Sequence, residues 1–277
     1  MALAQKAADG RWLADPYYKG ETLWYSPLSA WLVGATSKLT GVPAPRAFII
    51  AGQVLHLFIP LAFFVCARRL VGQWPALVAT GLFLFLPGRA PGWAAATYSP
   101  WLFPSLTAQL FLYSGLSAWL RFLDRPSPWL AAMVGLLLGL SVLTHMSAGA
   151  LLAAIVAVTA FAASAWTPPA PLQRRAGSFA VTVAIGFVVA TPLLMILASR
   201  YGAPAVNRAP ATWVCELAEP DMLVRSWLKP GSWWLLLACA WGARIVLAST
   251  ARVRMVLAAW GGAALVGFVY LPGGRAE

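Results

Sequence analysis

Between Pro126 and Gln173 the chain runs for 48 residues without an Asp, Glu, Lys or Arg. As one straight helix, at about 1.5 Å per residue, that run would reach roughly 72 Å, more than twice the ~30 Å depth of a bilayer's hydrocarbon core. It therefore has to fold back on itself, and Thr144-His145-Met146-Ser147 is the polar interruption at which it can do so. Of all residues 61% are hydrophobic and 10% charged, against about 25% charged in soluble domains. This balance excludes a disordered tail, a disulfide-stapled miniprotein and an ordinary cytosolic enzyme.

Apolar runs lie near 47–67, 70–88, 102–120, 126–144, 146–166, 178–199, 232–250 and 255–272, each close to the ~20 residues that cross hydrocarbon as a helix. They are too long and too uniformly apolar for barrel strands, and a helix satisfies its own backbone polar groups inside lipid. The expected fold is all-α: a polytopic bundle of about eight spans over 46–277, preceded by a loop-like segment, 1–45. Counting spans in order puts Arg68 and Arg69, Arg121 and Arg125, Arg174 and Arg175, and Arg244, Arg252 and Arg254 on one side. By the positive-inside rule that side is cytoplasmic. The N-terminal segment, the His145 turn, the loops 88–101 and 200–231, and the C-terminus then face outward, with seven of the eight acidic residues. The expected location is the cell membrane.

The same arrangement accounts for the net charge of +12. Basic residues gathered in short loops between apolar runs report membrane orientation, not nucleic-acid binding. Cys66, Cys215 and Cys239 are far apart, with no metal or redox spacing. The first residues lack the apolar core of a secretory signal, although the orientation places residues 1–45 outside. The expectation is that this reading frame starts one helix late, or that the tail crosses behind the first span.

The outer N-terminal segment sets Asp9, Asp15 and Glu21 among Trp12, Tyr17, Tyr18, Trp24 and Tyr25, with Lys19 beside them. A carboxylate can take a proton from an acceptor hydroxyl, and aromatic faces cover sugar rings. The same aromatics also suit a membrane interface belt. From Pro27 to Thr40, Leu28, Trp31, Leu32, Ala35 and Leu39 share one helical face, as in an amphipathic helix lying in the interface, and Gly41-Val42-Pro43 ends it.

Asp9-Gly10-Arg11-Trp12, Asp15-Pro16-Tyr17-Tyr18, Gly20-Glu21, Tyr25-Ser26-Pro27-Leu28 and Leu39-Thr40-Gly41 together resemble the first extracytoplasmic loop of GT-C type membrane glycosyltransferases and their oligosaccharyltransferase-like relatives. The run from Gly135 through Gly139 to Thr144-His145, followed by another apolar helix, is similar to their mid-chain hairpin. The resemblance covers about residues 1–166. It implies sugar transfer from a polyprenyl-phosphate donor to an extracytoplasmic acceptor, assisted by an acid of the first loop. In that family the acid commonly sits in a paired-acid or D-x-D motif after a first transmembrane helix. Neither precedes Asp9 here, which leaves Asp9 and Asp15 as candidate bases and a membrane-protein partner as a source of the helix.

In the second outer loop, Arg200 and Arg208 are candidates to hold a lipid-linked phosphate, alongside the alternative of marking the interface. Glu216-x-x-Glu219-x-Asp221 offers carboxylates to a divalent ion or is simply solvated. His145 is the only ionisable residue of the 48-residue run and a candidate to contact sugar or phosphate. His56, within the first span, reads as a packed core residue. Tyr98, Ser99 and Trp101 stand in an irregular outer loop between Pro91 and Pro104. Gly135-x-x-x-Gly139 and Gly115 permit close helix approach. Competing readings are a transporter or flippase, which wants polar groups at the midplane, and a non-catalytic membrane subunit.

Overall fold

A computed structural model describes residues 2–16, 20–23, 25–85, 102–166, 169–201 and 233–270. Among them the chain is all-helical: 84% helix, with no strands. The helices are α1 (Ala2–Ala8), α2 (Leu28–Thr40), α3 (Ala44–Val71), α4 (Gln73–Phe85), α5 (Pro104–Asp124), α6 (Pro128–Thr144), α7 (Met146–Phe161), α8 (Leu172–Tyr201), α9 (Trp233–Ala248) and α10 (Ala251–Tyr270).

Each of the eight apolar runs coincides with one of the helices α3 to α10, but the helices do not stop where the hydrophobicity does. The first break, expected between residues 67 and 70, falls one turn later at Gly72, whose φ of 85° suits a residue without Cβ. Arg68 and Arg69 remain on α3, Arg121 on α5, and Arg174 and Arg175 on α8. Arginine stems reach the polar boundary from within a helix, so the backbone ends at glycine or proline and not at the first charge. Pro104 and Pro128 open α5 and α6, and the Ser127 hydroxyl accepts the Leu130 N–H at 3.2 Å.

The charge-free run reverses at the expected place. His145 is a single extended residue, φ −162° and ψ 115°, that donates its N–H to Ser141 and accepts from Ala148, closing α6 and opening α7.

α5 and α7 run parallel, joined by a buried bond from Trp119 Nε1 to Thr159 Oγ1 at 2.7 Å. α6 and α8 also run parallel and pack through Gly135 and Gly139. A Cβ on Gly139 would stand 2.5 Å from Val189 Cβ and 2.7 Å from the Gly186 carbonyl, and one on Gly135 would stand 2.6 Å from the Thr182 carbonyl. This is the close approach that the G-x-x-x-G spacing permits. Aromatic contacts tie α3 and α4 onto α5: Phe63 stacks on Phe83 at 4.7 Å and both meet Tyr113 edge-on, while Trp119 and Phe122 at the far end of α5 cluster with Trp166 beyond α7.

The two ends of the bundle differ. At one, Asp124 pairs with Arg252, Arg175 donates to the Phe161 carbonyl at 2.6 Å, and Ser164 meets Met255. We call this the basic end. At the other, α1, α2 and the start of α3 share a small core of Ala4, Val33, Ala44 and Ala47, closed by Leu102. There Ser26 Oγ donates to the Val142 carbonyl at 3.0 Å. Residues assigned by sequence to the same side thus meet in space.

α3 and α8 are long and apolar enough to cross a membrane, and only 17% and 28% of their most apolar windows are buried. Leu57, Phe58, Leu61, Phe187, Val188 and Met195 are exposed along them. A helix at the centre of a soluble protein would hide such side chains, and an apolar surface of this extent calls for a nonpolar environment.

α2 spans the expected segment and ends at Gly41, φ 72°. The face it buries is Ser29, Val33 and Gly34, packed on Ala4 and Ala7 of α1. Leu32 and Leu39, on the stripe expected to be apolar, are exposed. α1 itself was not legible from the sequence.

Candidate functional site

Residues 11–16 and 20–23 fold as a small clasp. Ala14 bridges Thr22, the Asp15 N–H donates to the Glu21 carbonyl at 3.0 Å, and the Leu23 N–H to that of Leu13 at 2.8 Å. Leu23 is fully buried beneath it, and Gly20, φ 86°, supplies a positive-φ position that only glycine adopts without strain. Trp31 of α2 holds the clasp from the side, its indole N–H donating to the Trp12 carbonyl at 2.8 Å.

The clasp faces the last turn of α8 across an open cavity of about 670 Å³. Arg11, Asp15 and Glu21 line it from the clasp, Lys6 from α1, and Ser199 and Arg200 from α8. Residues separated by up to 194 positions thus share one space. Three cations and two carboxylates converge there, with exposed Glu21 at the rim and Asp15 only 4% exposed. Such a set can hold an anion by the guanidinium groups and accept a proton on a carboxylate.

Asp9, the other acid expected in catalysis, is not among the lining residues. Gln5 donates to its carboxylate at 2.9 Å and Arg11 at 3.2 Å. These two hydrogen bonds hold its pKa below the ordinary carboxylate value, which weakens it as a base. It stands one step behind Arg11, which touches both Asp9 and the cavity.

His145 lies at the same end of the bundle, three residues beyond the carbonyl that anchors Ser26, but not on the cavity wall. Its Nδ1 and Ser147 Oγ share a hydrogen bond of 2.7 Å, and burial pushes its pKa down. Tyr25 is half-buried beside the clasp, and His56 is buried in α3. Tyr17, Tyr18, Lys19, Trp24, Tyr98, Ser99, Trp101, Arg208, Glu216, Glu219 and Asp221 lie outside the described residues. Among the described residues no three of His, Cys, Asp and Glu group as metal ligands.

Lys6 and Ser199 were missed by the sequence reading. A lysine on a short helix and a serine one residue before Arg200 carry no pattern that separates them from ordinary surface. No family model, curated protein or solved structure matches this chain.

Proposed function

We propose that this chain is a multi-pass membrane glycosyltransferase of the GT-C type, transferring a sugar from a polyprenyl-phosphate donor to an extracytoplasmic acceptor at the cavity between the clasp and α8. The observation that carries the reading is the convergence of Asp15, Glu21, Lys6, Arg11 and Arg200 at the end of a membrane-length helix. A lipid-linked phosphate reaches a protein at this depth, with its isoprenoid chain in hydrocarbon and its charge at the boundary. The exposed apolar sides of α3 and α8 and the in-phase basic residues support the multi-pass arrangement, with the basic end cytoplasmic.

In the proposed reaction the acceptor hydroxyl oxygen attacks the anomeric carbon and the bond from that carbon to the phosphate oxygen breaks. Polyprenyl phosphate leaves, its charge met by Arg200, Arg11 and Lys6. The hydroxyl proton passes to Asp15, with Glu21 as the second acid in reach of the cavity. Asp9 keeps Arg11 in position.

The test is turnover by the full chain in proteoliposomes, supplied with a panel of labelled polyprenyl-phosphate sugars and an acceptor-containing membrane extract. Asp15→Asn is expected to lower kcat by about 100-fold or more, the usual contribution of a positioned base. Arg200→Ala is expected to raise KM for the donor. No donor consumption by the wild type, or full activity in Asp15→Asn, would overturn the reading. Movement of the donor lipid without bond cleavage would favour the transporter alternative.

A further inference from the structure

A second cavity, of about 390 Å³, lies at the other end of the bundle between α3, α5 and α6. From α3 it is lined by Phe58, Leu61, Ala62 and Val65 and then Arg69, and from α5 by Leu110, Ser114, Ser117 and Ala118 and then Arg121. On each helix the lining recurs every three or four residues, one continuous face. On each, the arginine comes eleven residues after the first apolar member, about 16 Å along the axis. The groove is therefore a long apolar channel, half-open at Phe58 and Leu61, that ends in two guanidinium groups at one level.

Those two arginines have no carboxylate partner among the described residues. Asp124, the one acid at the basic end among the described residues, is taken by Arg252. Nor, among the described residues, does a backbone carbonyl accept from either guanidinium, whereas Arg175 and Arg254 of the same end each have one. Two positive charges that share a groove mouth attract an anion to it. An anion with an apolar tail of acyl length satisfies both parts of the groove, and basic pockets between transmembrane helices on this side are suited to anionic headgroups.

We propose that this groove binds an anionic phospholipid, the phosphate between Arg69 and Arg121 and one acyl chain along Phe58, Leu61 and Leu110. The inference depends on membrane insertion but not on the glycosyltransferase reading.

The test is native mass spectrometry of the detergent-purified full chain titrated with phosphatidylglycerol or with phosphatidylcholine of the same acyl chains. The wild type is expected to prefer phosphatidylglycerol by about tenfold or more, and Arg69→Gln with Arg121→Gln to abolish that preference. Both side chains are at the surface of the bundle end, so this double variant keeps the fold. Arg68→Gln with Arg125→Gln, at the same end but off the groove, is expected to retain the preference. Ser117→Leu, which fills the channel and leaves both charges, is expected to weaken both lipids. Equal binding of the two lipids by the wild type would overturn the proposal. So would equal losses in the two arginine pairs, which would mean diffuse charge, or displacement of the lipid by inorganic phosphate, which would mean a free-anion site. A chain-to-chain dimer whose formation the lipid does not affect and Ser117→Leu abolishes would place a second copy in the groove instead.

Discussion

At the residue scale, the environments of similar side chains separate their roles. Asp9 and Asp15 are six positions apart in one polar segment and look alike in the sequence. Asp9 is solvated and held by Gln5 and Arg11, while Asp15 is buried in the clasp against the cavity. Which surroundings a carboxylate meets depends on the side chains and cavity that the clasp and the helix α1 bring to it, and no spacing rule encodes that. His145 gives a pH test. Burial lowers its pKa below the ordinary 6.5, so the unfolded chain binds the proton more readily than the folded one. The stability that the neutral imidazole contributes is complete above pH 6.5 and is lost as pH falls through the folded-state value. His145→Gln is expected to flatten that limb of a melting-temperature profile in detergent, and an unchanged slope below pH 6.5 would mean that another group governs it.

At the scale of elements, every long apolar run became a helix because a segment this hydrophobic has one way to satisfy its backbone in a nonpolar setting. Helix ends were less legible, since arginines at residues 68, 69, 174 and 175 stay helical and Gly72 makes the break. Helix contacts were legible only through glycine. Three Gly→Ala substitutions should therefore rank by what the new methyl meets. Gly139→Ala strikes Val189 Cβ and the Gly186 backbone and is expected to cost about 1–3 kcal/mol. Gly115→Ala meets the flexible end of Leu152 at 2.6 Å and should cost less. Gly81→Ala meets nothing within 4 Å and should stabilise α4 by roughly 0.5–1 kcal/mol. Thermal unfolding of the three purified variants measures the order, and a neutral Gly139→Ala would contradict the α6 and α8 packing.

At the scale of the whole molecule, the pairing of ends makes a topological claim. α1 and the clasp sit at one end with Arg200, while Arg125, Arg174 and Arg252 sit at the other. In a chain with Cys66, Cys215 and Cys239 replaced by alanine, Ala2→Cys should react with a membrane-impermeant maleimide from outside intact cells. Arg125→Cys should react only after permeabilisation. Labelling of both from the same side would refute the multi-pass arrangement with these ends opposed.

Hydrophobic run lengths and the single polar break at His145 were enough to place the long apolar helices α3 to α10 and the reversal between α6 and α7, because each depends on near neighbours in the chain and on the solvent they require. The tertiary structure decided which face of α2 is buried, that α1 exists as its partner, and which of two aspartates shares a cavity with Arg200, 185 residues away. Those outcomes depend on side chains far apart in sequence arriving at one place, where packing volume and charge are set by neighbours that no local pattern records.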